Sequence, residues 1–393
     1  MPTFKDTAHA FIPYPEVSVP AAAKGPLTGL SFAVKDLFDV AGYPTSGGQP
    51  LMLAMSGIKT RTAPTVQRLL DAGALFIGKV VTDELAFSMN GNNAHFGAPI
   101  NGAAPSRITG GSSSGSAAAV SNELADFALG TDTGGSVRAP ASHCGLFGIR
   151  PTHGRISLEG CLDLSPSFDT CGWFARDAQT FSRVADVLLG LDTMPVASKL
   201  RLLAPTDVWG LLEPGPSLAL TPARSRIEKT LGEAEPTKVV FGSFEDMYWN
   251  FRYLQGREAW ATDGDFIERY SPPLGPGVSE RFAWSKNVTD EQVAKARSFR
   301  SNFRDHLAQL LGTNGVLLMP TMPDVAPLRT DSEASLEDYR NRAIRMLCIS
   351  GLSGFPQISL PLVKSNGSPL GISLLGPAGS DRSLIAIAEQ LAG

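Results

Sequence analysis

Apolar runs of strand length alternate with amphipathic stretches of helical period through most of the chain, which is the pattern of an α/β layer fold. Ser31 to Val34 is a short apolar run that predicts a strand delivering Lys35 and Asp36 at its end. Thr62 to Ala72 predicts a short helix, because Pro64 stands in its first turn, Val66, Leu69 and Leu70 share a face, and Gly73 follows. Leu75 to Val81 reads as a buried strand, as does Phe127 to Leu129. The clearest helix runs from Thr289 to Leu311. Thr289 and Gln292 have capping-box spacing, Val293, Ala296, Phe299 and Phe303 recur on one face, and Gly312 ends it. It leads into a strand from Gly315 to Met319. Further on, Ser335 and Asp338 predict a helix start, strands are expected near Ile358 to Leu360 and Ile372 to Leu375, and a closing helix begins at Asp381.

The alternation weakens between about residues 199 and 285, which are richer in Pro, Trp and Tyr. An insertion over the core and ordinary connecting structure are both open there. No internal repeat divides the 393 residues. The start, MPTFKDTAHAFIPYPEVSVP, lacks a basic segment followed by an apolar run and reads as a polar lead-in rather than a secretory signal.

Composition narrows the function classes. Lys plus Arg is 34 and Asp plus Glu 38, a net charge of −4, with no run of five like charges, which argues against nucleic acid and against a polybasic membrane anchor. Met346 to Val363 is free of charge, but Gly351, Gly354, Pro356 and Pro361 break it, so no membrane span is expected. Cys144, Cys161, Cys171 and Cys348 form neither a CxxC pair nor a metal-like set with the five histidines, so free thiols in a reducing cytoplasm are expected.

Candidate chemistry concentrates between Ile108 and Thr152. There TGGSSSGSAAAVS and GTDTGGSVRAPASHCGLFGIRPT set two Gly-Ser loops around a short Ala-rich helix and a strand. Gly111, Ser112 and Ser113 open a helix from Gly115 to Asn122, and a helix start offers unpaired N–H groups. In the loop Thr131 to Ser136, Gly134 and Gly135 precede a serine, and consecutive N–H groups in so tight a turn can converge on one oxygen, as an oxyanion requires. A flexible linker would not carry Asp132, Arg138 and an apolar strand beside it. A phosphate loop would need Gly-Lys-Ser/Thr or GxGxxG, and neither occurs in the segment. Gly111 to Gly115 matches GxSxG with Ser113 as nucleophile, but that elbow needs a strand directly before it, and Pro105 to Gly110 reads as loop. Ser56 and Lys59 match SxxK, a pattern short enough to arise by chance. The remaining candidate base is Lys35, since a lysine at a strand end is well placed to be buried and burial turns it into a general base. A surface ion pair beside Asp36 is the plainer alternative, and the residues alone leave both open.

Taken together, AVKD and the two serine loops, in that order, resemble the amidase signature family. The likeness continues through SFDTCGWFARD, GFPQISLPLV and PLGISLLGPAGSD. It implies an α/β fold in which residues 1–393 form one large α/β/α domain around a mixed twisted sheet, with the site at the ends of central strands. It further implies that Ser136 is the nucleophile, that Ser112 on a cis peptide relays its proton to Lys35, and that the N–H groups of Thr133, Gly134, Gly135 and Ser136 hold the oxyanion. Asp132 and Arg138 then read as a structural pair that fixes the loop, and Ser113 and Ser114 as local packing groups. Cys144, His143 and His153 read as a buried thiol and core histidines.

The phrases LTGLSFAVKDLFDVAG, TDELAFSMNGNNAHFGAP and HGRISLEG are similar to the plant-type indole-3-acetamide hydrolases, which release an auxin and ammonia. By that likeness Ala86, Phe87, Ser88, Met89 and Asn90 line the acyl pocket, where Phe87 and Met89 would suit a flat apolar group. Another aryl or alkyl amide, or the glutaminase role within a tRNA-dependent amidotransferase, are the alternatives. A non-catalytic interaction module is disfavoured because Lys35, Ser112 and Ser136 are all retained. The expected partner is a small-molecule amide, with no metal and no cofactor; a homodimer is left open, and the expected location is cytoplasmic.

Overall fold

The computed structural model describes residues 5–197 and 199–393. Strand β1 (Ser31–Lys35) is followed by helices α1 (Pro50–Ser56) and α2 (Pro64–Asp71), and then by β2 (Leu75–Val80). A 3₁₀ turn, Glu84–Ala86, and a long loop lead to α3 (Ser114–Ser121), β3 (Phe127–Thr131), α4 (Arg138–Cys144), β4 (Phe147–Arg150), β5 (Cys171–Ala175) and α5 (Ala178–Leu188). Next come β6 (Arg201–Pro205), α6 (Thr206–Trp209), α7 (Pro214–Leu231), β7 (Glu235–Thr237), α8 (Phe244–Tyr270), α9 (Val278–Ser285) and α10 (Asp290–Leu311). The chain closes with β8 (Gly315–Pro320), α11 (Glu333–Ser353), β9 (Gln357–Ser365), β10 (Ser368–Leu375) and α12 (Asp381–Ala392).

The strands form one ten-stranded mixed sheet in the order β2-β1-β3-β5-β4-β9-β10-β8-β6-β7. Both ends are parallel and the middle is antiparallel. Side-chain alternation splits the core into two layers. Phe32, Val34, Phe127, Leu129 and Trp173 belong to the larger cluster, whereas Ala33, Ala128 and Phe174 pack with Ala117 to Val120 of α3 and Ala141 of α4. Small residues dominate this second layer, so α3 and α4 lie close to the sheet. Each large side chain buried on the other face contributes about 1.5–3 kcal/mol of transfer free energy. The Phe32 and Phe127 rings stack at 5.3 Å between adjacent strands. By the same alternation Lys35 shares the face of Ala33, toward α3.

The long helix α10 is capped as its sequence predicts, with Thr289 accepting from the Gln292 N–H and Gln292 reaching back. Two local expectations are corrected. Helix α11 starts at Glu333, two residues before Ser335, because Ser332 is its cap and accepts from the Ser335 N–H. The lead-in is not a polar tail over its described part: Ala8 and Ala10 are buried, Phe11 bridges to Val80, and the Ile12 N–H donates to Lys79 O at 3.0 Å. Its first four residues lie outside the described ones. Within residues 199–285, β6 and β7 extend the sheet, and α8 packs against α9, α10 and α11. Among the described residues no helix is long and apolar enough to cross a membrane.

Candidate active site

Strand β1 delivers Lys35 into an interior with no exposed side-chain surface, and its Nζ donates to Ser112 Oγ and to Thr131 Oγ1, each at 2.8 Å. Burial pulls the ammonium pKa down to about 8, against the opposing pull of Asp83, Cys161, Asp169 and Asp132. Of the two readings of this lysine, the buried one holds. The ion pair of Asp36 is made instead with Lys79, at 2.5 Å.

Ser112 follows a cis peptide from Gly111. A Cβ at position 111 would sit 2.2 Å from the Asp83 carboxylate, so only glycine fits there. The two serine loops are joined directly, Ser113 N–H donating to Ser136 O at 3.3 Å. Ser113 Oγ is engaged with both the N–H and the C=O of Thr131, and Ser116 Oγ donates to Leu129 O, so these hydroxyls tie α3 to β3. Among the described residues no hydrogen bond joins the Ser112 and Ser136 hydroxyls.

The loop from Asp132 to Val137 is shaped by one buried carboxylate. Asp132 accepts from the N–H groups of Gly135, Val137 and Arg138, and pairs in a two-pronged contact with Arg138, Nε at 3.0 Å and Nη2 at 2.8 Å. Arg150 adds a third cationic contact at 3.2 Å. Burial favours the protonated acid, but Arg138 and Arg150 outweigh it and hold Asp132 well below the usual carboxylate range. Gly135 has φ +128°, and a Cβ there would meet Leu347 Cδ1 at 2.4 Å, so the turn requires glycine. Gly135 departs from its expected role, since its N–H is committed to Asp132. The Thr133, Gly134 and Ser136 N–H groups have no such partner among the described residues.

Beside Ser136 lies a cavity of about 20 Å³. Ala86, Phe87, Ser88 and Met89 line it with Gly134, Phe251, Gln255, Arg340 and Ile344. Asn90 is not in this set and faces a neighbouring cavity with Arg252, Arg281 and Trp284. The turn carrying the wall is strained: Leu85 and Ala86 both have left-handed backbones, φ 48° and 55°, at a cost of about 1–3 kcal/mol each. Leu85 N–H to Gly47 O and Ala86 N–H to Asp83 O hold it.

Competing nucleophiles and bases are disabled by burial. The thiols of Cys144, Cys171 and Cys348 are pushed up to about 12, and His143 is pushed down to about 3. His143 Nε2 meets Tyr339 Oη at 2.9 Å, as a core histidine should. His153 does not fit that description: it is exposed, with Nε2 on Pro166 O. Among the described residues no group of three His, Cys, Asp or Glu side chains could hold a metal. Three contributors escaped the sequence reading. Thr131, Asp83 and Arg150 stand inside the quoted phrases, but only their partners reveal their roles.

A family model described as Amidase matches residues 7–207 and 249–385. Amidase 1 of Arabidopsis thaliana is 39% identical over 414 aligned residues, spanning 98% of this chain and 97% of the relative. A crystal structure of an amidase superposes with a TM-score of 0.84 at 32% identity, covering 94% of this chain and 85% of that one. An allophanate hydrolase of Kluyveromyces lactis superposes with a TM-score of 0.83 at 26% identity, covering 93% of this chain and 62% of that one.

Proposed function

We propose, from the premise that the chain belongs to the amidase family and is a hydrolase of amide carbon–nitrogen bonds, that Ser136 is its nucleophile, Ser112 its proton relay and Lys35 its general base. The observation that carries this reading is the 2.8 Å contact of a fully buried Lys35 Nζ with Ser112 Oγ, behind the glycine turn that ends at Ser136. Lys35 in its neutral form accepts the Ser112 proton while Ser112 accepts that of Ser136. Ser136 Oγ then attacks the amide carbonyl, and the unpartnered N–H groups of Thr133, Gly134 and Ser136 stabilise the oxyanion. The proton returns through Ser112 to the departing nitrogen, since an amide nitrogen must be protonated to leave. Water then hydrolyses the acyl-enzyme by the same relay.

The substrate is a primary amide with a flat apolar acyl group, indole-3-acetamide being the one to which the sequence resemblance points, with ammonia as the second product. Phe87, Met89, Phe251 and Ile344 support this choice. The free space beside Ser136, about 20 Å³, has room for little more than a water molecule, so an aryl group enters only as Met89 and Phe251 turn aside. A second reading, glutamine as the amide, is favoured by one feature: Arg340 lines the pocket with its Nε unpartnered and could take a carboxylate. The setting is cytoplasmic, in keeping with four free cysteines. Ammonia release across a panel of primary amides, with Ser136→Ala as control, tests the reaction and its substrate together.

A further inference from the structure

A second cavity, of about 450 Å³, lies along α8 from the first. The two share no lining residue: Phe251 and Gln255 face the Ser136 pocket, whereas Thr262, Asp263 and Phe266, two turns further on, face the larger one. Leu85 borders the larger cavity and Ala86 and Phe87 the smaller, and these three pack in one buried cluster with Leu164 and Ala259 that forms the partition.

The larger cavity has an unusual polar end. Asp263 is 6% exposed and accepts no hydrogen bond from any described residue, and its Oδ2 is fully enclosed. Asp163, from the loop between β4 and β5, lines the same space. Burial, then Asp169 and Asp163, push the Asp263 carboxyl up to about 8. A buried carboxyl without a donor is costly, and native structures rarely keep one without a use. Among the described residues Lys59 is the only cationic side chain lining the cavity, and it is turned to Asp39 at 3.6 Å. Met52, Leu85, Leu162 and Phe266 supply the apolar part of the wall, with Thr45, Ser56 and Thr262 beside them.

We propose that this cavity binds a small organic amine, its ammonium seated at Asp263 and Asp163 and its apolar body among Met52, Leu85, Leu162 and Phe266. An ammonium supplies the missing donor and, once Asp263 releases its proton to solvent, a positive charge that answers the carboxylate, and a charge-assisted bond is stronger than a neutral one. A metal ion does not fit, because among the described residues only two carboxylates line the cavity and no group of three His, Cys, Asp or Glu side chains could hold one. A neutral molecule would offer the Asp263 carboxyl no charge-assisted partner. The proposal does not rest on hydrolysis at Ser136, so the two proposals fail separately.

Calorimetric titration of the full chain with benzylamine and with benzyl alcohol, its neutral counterpart, tests the site. Benzylamine is expected to bind about 10-fold or more tightly than the alcohol, the usual worth of a hydrogen bond to a charged group. Asp263→Asn is expected to erase that preference while leaving turnover of a short amide unchanged. Asp263→Leu, which replaces the carboxyl by methyl groups of similar volume, gives the same readout should the asparagine variant misfold. Binding is expected to survive phosphonylation of Ser136 by a fluorophosphonate. Equal binding of amine and alcohol, an unchanged preference in both Asp263 variants, or loss of benzylamine binding after labelling would each overturn the proposal.

Discussion

Lys35 and Ser112, 77 positions apart in the chain, meet at 2.8 Å with neither side chain exposed. The contact exists because β1 ends at Lys35 on the α3 face of the sheet, while the turn into α3 is bonded to the loop that carries Ser136. A lysine brought to about 8 by burial is largely protonated at neutral pH and keeps a useful neutral fraction. Amide turnover is therefore expected to fall as pH drops below about 8, roughly tenfold per unit, as Lys35 gains its proton. Lys35→Ala should depress hydrolysis of a primary amide more than that of an activated ester with the same acyl group, whose leaving group needs little protonation. Equal losses, with an unchanged pH profile, would return Lys35 to a structural role.

Ser136→Ala is expected to lose more than about 10³-fold in turnover, because covalent catalysis goes while oxyanion binding survives. Intact-mass measurement with a fluorophosphonate should show one adduct on the wild type and none on this variant. An adduct on the variant would place the nucleophile elsewhere.

Thr131 is the second acceptor of the Lys35 ammonium. Thr131→Val keeps the shape of the side chain and removes the acceptor, so Nζ is held by Ser112 alone. Misplacement by an ångström typically costs about 10²-fold, and a loss of that order in kcat with little change in KM is expected. A change confined to KM would mean that Thr131 acts on substrate binding instead.

The parts of the site that depend on short stretches of chain were legible in sequence: a strand ending in lysine, and a glycine pair before a serine. What escaped depends on distant partners. Arg150 meets Asp132 from the far end of β4, and spacing gives no hint of it. Helix α8 was illegible because part of its inward face is polar, with Arg252, Gln255 and Asp263 buried among Met247, Phe251 and Ala259, and this dilutes the helical period that marks a helix. The lead-in escaped for the opposite reason. Alanines as small as Ala8 and Ala10 give a weak apolar signal, yet fit completely beneath the sheet's neighbours.

Asp132 is expected to be the residue on which loop stability depends. Its carboxyl is held lower in the folded chain than in the unfolded one, so its contribution is complete above about pH 4 and is lost as pH falls toward the depressed folded value. Asp132→Asn leaves Arg138 and Arg150 buried with little to offset them, and should cost about 3–5 kcal/mol in urea unfolding. The acid limb of the stability curve should flatten in the same variant. A loss below about 1 kcal/mol would mean that the loop is fixed by its backbone alone.

The choice of substrate turns on which wall of the Ser136 pocket wins. An aryl group that buries about 100 Å² of apolar surface against Phe87, Met89, Phe251 and Ile344 gains about 2.5 kcal/mol. A carboxylate such as that of glutamine would have to be drawn in by Arg340, whose Nη1 already pairs with Glu337 at 3.1 Å, so part of its charge is answered. Glu337 is shared with Arg281, which leaves some attraction for an anion, but the carboxylate must first shed its water. The apolar term is therefore expected to prevail, and kcat/KM for indole-3-acetamide should exceed that for glutamine by about 10-fold or more. Arg340→Gln separates the two cases: it should leave the aryl amide within a few-fold of wild type and weaken any glutamine activity. If glutamine gave the higher kcat/KM and Arg340→Gln abolished it, the acyl group would be acidic and the aryl reading would be wrong, with Ser136 chemistry untouched.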